Sequence, residues 1–170
     1  MTTNGDFLSE GAKNYIDALT AIKAFEDLAR GICGDVYEKY KPQLVTKMGF
    51  KDADYDDHNN KDPANGIAEI GVWQTAKSRR EWLYVYLMWE VVKDGATEIS
   101  ACVMLEFSTR NDRNKWAKLL RQSPSIQPGD VNGYCLWSRK TLSDLSSCAE
   151  AFYIVLDEWL ACWPDGRKLK

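Results

Sequence analysis

The chain has one histidine, His58, and no CxxC pair among its five cysteines, Cys33, Cys102, Cys135, Cys148 and Cys162. Structural zinc needs clustered Cys or His ligands, so that class finds no support. A Ser–His or Cys–His nucleophilic pair would have to draw on His58, which sits in a polar stretch. No glycine-rich phosphate loop and no dinucleotide fingerprint occurs. The expectation is therefore no catalytic residue, no metal ligand and no cofactor. The longest apolar run, WLYVYLMW, is far too short to span a membrane. The opening MTTNGDFLSEGAK lacks a basic segment leading into an apolar one, so no signal peptide is expected. An odd number of scattered cysteines fits reduced thiols, and the expected compartment is the cytoplasm.

What is present is ordinary globular composition with many rings. Of 170 residues, 45% are hydrophobic and 28% charged, which argues for a folded chain rather than disorder. One domain over 1–170 is the expectation at this length. The 7 Trp and 8 Tyr are the unusual feature, because such rings dominate cores and interfaces alike. A net charge of −3 is too mild for a DNA mimic or a protein that grips nucleic acid by bulk charge. The charge is uneven: residues 71–140 carry 11 Lys/Arg against 7 Asp/Glu, while the first seventy carry 8 against 13.

Along the chain, Ala12, Tyr15, Ile16, Leu19, Ile22, Phe25 and Leu28 recur at helical spacing, which predicts a helix over 9–30 capped by Ser9. Gly31 and Gly34 predict a break. A second helix starting at Asp35 would bury Val36, Tyr37, Tyr40 and Leu44, with Pro42 kinking it. The Asp- and Asn-rich stretch 51–66 reads as a long polar loop. Residues 67–77, 81–92 and 97–108 read as strands, with hairpin turns at KSRR and KDG. A short helix over 111–121 capped by Asn111 or Asp112, a strand at YCLWSR and a helix over 144–162 complete the chain. The order α(α)βββαβα predicts an α+β fold: an antiparallel sheet of about four strands with N-terminal and C-terminal helices packed on it.

The segment EWLYVYLMWEVV is apolar on both sides. A three-residue KDG loop, with Val92 opposite Ala96, sets Trp89 against Ile99, Leu87 against Ala101, Val85 against Val103 and Leu83 against Leu105. That face is aliphatic and is the expected core. The other face then sets Tyr86 against Cys102, Tyr84 against Met104 and Trp82 against Glu106. If Ser78 and Arg79 form the first turn, Trp73 joins beside Tyr84, and Gly71 leaves a gap beside Tyr86. A two-residue Asp94-Gly95 turn would mix the faces, because a one-residue slip exchanges them. The second face is either covered by a helix, which the wide apolar stripe on 145–163 invites, or left open as a recognition surface.

Two resemblances are short. The run KDADYDDHNNKDP resembles the first half of an EF-hand calcium loop in Asp52, Asp54 and Asp56. It departs at Asp57, where glycine is expected, and at Pro63, where a bidentate Glu is expected. Asp94 and Glu106, in DG-x10-EFS, resemble the carboxylate pair of the PD-(D/E)xK nuclease core, with Ser108 where that family has its Lys. The resemblance implies a metal held between the two carboxylates.

A basic set, Arg110, Arg113, Lys115, Lys118 and Arg121, with Lys77, Arg79, Arg80, Arg139 and Lys140, could form one positive edge for an acidic protein or a nucleic-acid backbone. The expected function is non-catalytic recognition of another protein, with an inhibitor or immunity-type role as its form. The binding residues would be Trp73, Trp82, Tyr84, Tyr86, Glu106, Arg110 and Arg113. A metal-dependent nuclease-like enzyme and a small-ligand carrier using an aromatic pocket on the sheet are the alternatives. No membrane partner is expected, and a homodimer is compatible with such a face.

Overall fold

The computed structural model describes residues 4–62, 64–92, 94–120, 125–128 and 133–169. Helix α1, Asn4–Gln43, runs into one π-helical turn, Leu44–Met48. Strands β1 (Asp56–Asp62), β2 (Ile67–Thr75), β3 (Glu81–Val91) and β4 (Thr97–Phe107) follow. Helix α2 (Arg110–Leu119), strands β5 (Gln127–Pro128) and β6 (Cys135–Thr141) and helix α3 (Cys148–Cys162) complete the fold. The strands form one antiparallel sheet in the order β1-β2-β3-β4-β6-β5. This is the α+β architecture expected, with two more strands than expected: β1, inside the stretch read as a loop, and the two-residue β5.

The sheet register is the one set by the three-residue turn. Trp89 faces Ile99, Val85 faces Val103 and Leu83 faces Leu105. The turn closes with Val92 N–H donating to Ala96 O at 2.9 Å, and Gly95 takes φ 80°, which glycine adopts without strain. At the β2–β3 turn Arg79 takes φ 58°, and its N–H donates to Ala76 O.

Helices α2 and α3 and residues 29–40 of α1 bury their apolar sides on one face of this sheet. Leu83, Val85, Leu87, Ala101, Val103 and Leu105 from β3 and β4 join Ala29, Cys33, Val36, Tyr37 and Tyr40 of α1. Phe152, Leu156 and Trp159 of α3 and Trp116 of α2 complete that core. Burying each Leu or Val there contributes roughly 1.5–3 kcal/mol. Trp159 also donates its indole N–H to Ser138 Oγ at 2.6 Å, so its one polar atom is satisfied inside the core.

Five local expectations change. Helix α1 starts at Asn4, so Ser9 lies inside it and is not its cap. Nor does it break at Gly31 and Gly34. Gly34 is a point of close approach, where a Cβ would meet the Tyr55 ring 3.0 Å from Cζ. Pro42 falls in the last turn and coincides with the switch to the π turn rather than with a mid-helix kink. The cap of α2 is Thr109, whose Oγ1 accepts from Asp112 N at 3.1 Å. Helix α3 lies on the aliphatic face, so it does not cover the aromatic one.

Candidate functional site

The second face of the sheet is built by alternation along each strand. One row runs Asp56, Trp73, Tyr84, Met104, Trp137 across β1, β2, β3, β4 and β6. The next runs His58, Gly71, Tyr86, Cys102, Arg139, and the one beyond it Asn60, Glu69, Met88, Ser100, Thr141. Among the described residues, no helix packs on these rows. Tyr86, Met88 and Cys102 are buried beneath their neighbours, with Ile67, Tyr84, Met104 and Trp137 packed around them. Trp73, Trp82, Tyr84, Glu106 and Trp137 stay part-exposed.

Tyr86 can sink because of Gly71. A Cβ there would fall 2.5 Å from Tyr86 Cα and closer still to the Val85 carbonyl oxygen. The expected gap beside Tyr86 is thus closed by β3 itself. The ring of His58, across β2, meets Tyr84 and Tyr86 edge-on, with centroids 5.1 and 5.2 Å away. Trp73 stacks on Tyr84 at 6.3 Å.

Carboxylates stand among the rings. Glu106 accepts from the Tyr84 hydroxyl at 2.9 Å. Glu69 Oε2 shares a hydrogen bond with His58 Nε2 at 3.2 Å and accepts from Asn60 at 3.0 Å. Burial pushes the Glu69 carboxyl up, but the hydrogen bonds from His58 and Asn60, with the His58 charge, outweigh it and hold it below the usual range. Burial, then the bond to Glu106, pushes the Tyr84 phenol well above its ordinary value, so it remains a donor at neutral pH. Burial likewise pushes the Cys102 thiol up to about 12. Cys135 rises to about 11, through burial and Glu106, with Arg113 pulling the other way. None of these thiols is a ready nucleophile.

Five of the seven expected binding residues, Trp73, Trp82, Tyr84, Tyr86 and Glu106, therefore share one face. Arg110 and Arg113 sit on α2 beside one end of it. Arg113 Nε donates to Gly133 O at 2.9 Å, and the Arg110 guanidinium lies 5.5 Å from the Tyr134 ring. The single positive edge does not form as expected. Arg139 pairs with Glu90 at 3.0 Å, and Lys140 points to the opposite face of β6. Arg121 and Pro63 lie outside the described residues.

Asp94 and Glu106 are not brought together. Asp94 accepts from Ala96 N in the β3–β4 turn. Glu106 stands at the far end of the same hairpin, about 35 Å away at the rise of a strand. Asp52 lies 3.7 Å from Lys41, and Asp56 already belongs to β1. Among the described residues no three potential ligands cluster for a metal, and no helix is long and apolar enough to cross a membrane.

Sequence reasoning missed His58, Asn60 and Glu69, which lie on β1 and β2, and Trp137. Trp137 shares parity with Cys135 in β6 and could have been placed once the β4–β6 register was drawn. The chain matches no family model, no curated protein and no solved structure. What fold and site define is a class: a two-layer α+β protein with helices on one sheet face and rings and carboxylates on the other.

Proposed function

We propose that this is a non-catalytic binding protein that recognises another protein through the open sheet face, and that its partner presents Lys or Arg side chains there. The observation that carries this reading is the part-exposed set Trp73, Trp82, Tyr84 and Trp137 on a face that no described helix covers. Large amphipathic rings supply contact area at low conformational cost. Glu69, Glu98 and Glu106, with Asp56 and Asp62 on β1, make the surroundings acidic, while Arg139 is already paired with Glu90. Cations also sit well over the faces of Trp and Tyr rings. A face that binds without a nucleophile suits an inhibitor or immunity-type factor, which acts by covering a partner's surface.

The test is affinity capture from a lysate with the wild type, with Trp73→Ala/Tyr84→Ala, and with Ile154→Ala, which alters an exposed residue of α3 remote from the face. A partner retained by the wild type and by Ile154→Ala, but lost with the double variant, is the expected result. Each ring removed should weaken binding about 30-fold. Equal capture by all three would refute the proposal.

A further inference from the structure

We propose that a cavity between the start of β3, helix α2 and the C-terminal segment binds a small dipolar molecule, a short carbon chain with an ammonium at one end and a carboxylate at the other. This goes beyond the sheet-face reading and uses a different part of the molecule. Glu81 opens β3 and, by alternation, falls with Leu83 and Val85 on the helix side of the sheet rather than on the open face. There it lines a cavity of about 350 Å³ with Asp112, Lys115 and Trp116 of α2 and with Arg167 and Lys168 beyond α3.

The walls are fixed by contacts of their own. Trp116 stacks on Trp163 with ring centroids 4.3 Å apart, which ties α2 to the end of α3. Trp163 donates its indole N–H to Arg167 O at 2.8 Å, and Leu169 N–H donates to Met48 O at 2.8 Å. The Leu169 side chain is itself buried. The segment carrying Arg167 and Lys168 is thus held at both ends, and the site is preformed, as small-molecule sites usually are.

The charges divide into two sets. Glu81 lies deep, only 6% exposed, and Ser78 Oγ donates to its Oε2 at 2.7 Å. Burial pushes its carboxyl above the ordinary value; the Ser78 bond opposes this and the nearby Asp112 adds to it. A buried carboxyl beside a second one calls for a cation. Lys115, Arg167 and Lys168 are exposed and form the rim. Elsewhere Arg30, Lys41, Lys61 and Arg139 each have a carboxylate partner. Among the described residues, Lys115, Arg167, Lys168 and Glu81 form no ion pair.

A purely anionic ligand would bring its charge against Glu81 and Asp112. A purely cationic one would have to pass three cations at the rim. A chain with its ammonium inward and its carboxylate at the rim satisfies both sets, and the Trp116 ring gives its methylenes an apolar wall. Taken as a sphere, the cavity is about 9 Å across. An extended chain of five methylenes holds its two charges about 7.5 Å apart at ordinary bond lengths. The compound ε-aminocaproate has that layout.

Isothermal titration calorimetry of the full chain with ε-aminocaproate, with hexylamine, which lacks the carboxylate, and with hexanoate, which lacks the ammonium, tests this. The wild type should bind ε-aminocaproate with a Kd of about 1 mM or below. Each truncated compound should bind at least about tenfold more weakly, the loss expected for one charged hydrogen bond. Glu81→Gln, whose amide oxygen still accepts from Ser78, should abolish the preference over hexanoate. Arg167→Ala/Lys168→Ala, which alters only exposed side chains, should abolish the preference over hexylamine. Each preference is a ratio measured within one variant, so a general loss of stability does not imitate the result. A wild type that gives no binding heat with ε-aminocaproate up to about 10 mM overturns the proposal. So does equal binding of all three compounds, or either preference surviving its variant. Binding lost instead in Trp73→Ala/Tyr84→Ala would assign the compound to the open face and overturn it as well.

Discussion

Gly71→Ala should be among the most damaging single-atom additions this chain can suffer. The added Cβ would fall 2.5 Å from Tyr86 Cα, 2.7 Å from Tyr86 Cβ and closer still to the Val85 carbonyl oxygen. Two of these three atoms are backbone of a central strand, so no rotamer change relieves the contact. Strand β3 must move, or β2 must bow, and either disturbs ladders on both sides. Overpacking of this kind costs about 3 kcal/mol. In a domain of this size that lowers the melting temperature by roughly 6–12 °C. With a urea slope of about 2 kcal/mol per molar, the midpoint should fall by about 1.5 M. Urea unfolding followed by tryptophan fluorescence reads the shift. Gly31→Ala is the control, because nothing lies within 4 Å of its Cβ and the helix should gain up to about 1 kcal/mol. A Gly71→Ala protein within about 0.5 kcal/mol of wild type, the range of a neutral surface change, would refute the account of how Tyr86 is buried.

Other outcomes follow from single contacts. Ser138→Ala strands the buried Trp159 indole N–H and should cost about 1–3 kcal/mol in urea unfolding, whereas Ser138→Thr should retain most of that bond. Because the Glu69 carboxyl is held below the usual range, its ionised form stabilises the fold above the unfolded-state value. That stabilisation is lost as pH falls through the folded-state value. Glu69→Gln should therefore flatten the acid limb of a melting-temperature profile, and an unchanged limb would remove Glu69 from the account. Thr109→Ala should cost about 1 kcal/mol through the lost cap of α2, measured the same way.

The β3–β4 hairpin was legible because its two periodicities agree. Leu83, Val85 and Leu87 alternate with Trp82, Tyr84 and Tyr86, and a turn with a single glycine at the right offset fixes which residues meet. Strand β1 was not legible. DDHNNKD has no apolar alternation, because this edge strand takes its order from hydrogen bonds to β2 rather than from a core contact. His58 was lost with it, and so was its place against Tyr84 and Tyr86. The continuity of α1 was hidden for a related reason. Gly31 and Gly34 look like breakers in sequence, yet one faces open space and the other makes room for Tyr55. The face of the sheet that stays open could not be read from pattern alone, since the stripe on α3 would have suited either side.

The outer edge of the sheet is the acidic strand β1, with Asp56, Asp57 and Asp62 along it and Lys61 tied to Glu26 on α1. Unpaired strand edges are templates on which other chains grow. Carboxylates repel a like-charged copy of themselves, so a second β1 cannot easily zip onto the first. The same composition that disguised this strand as a loop thus keeps the sheet finite. A neutral version, with Asp56 and Asp62 as Asn, would keep the ladder and lose that repulsion, leaving the edge open to pairing with a second chain.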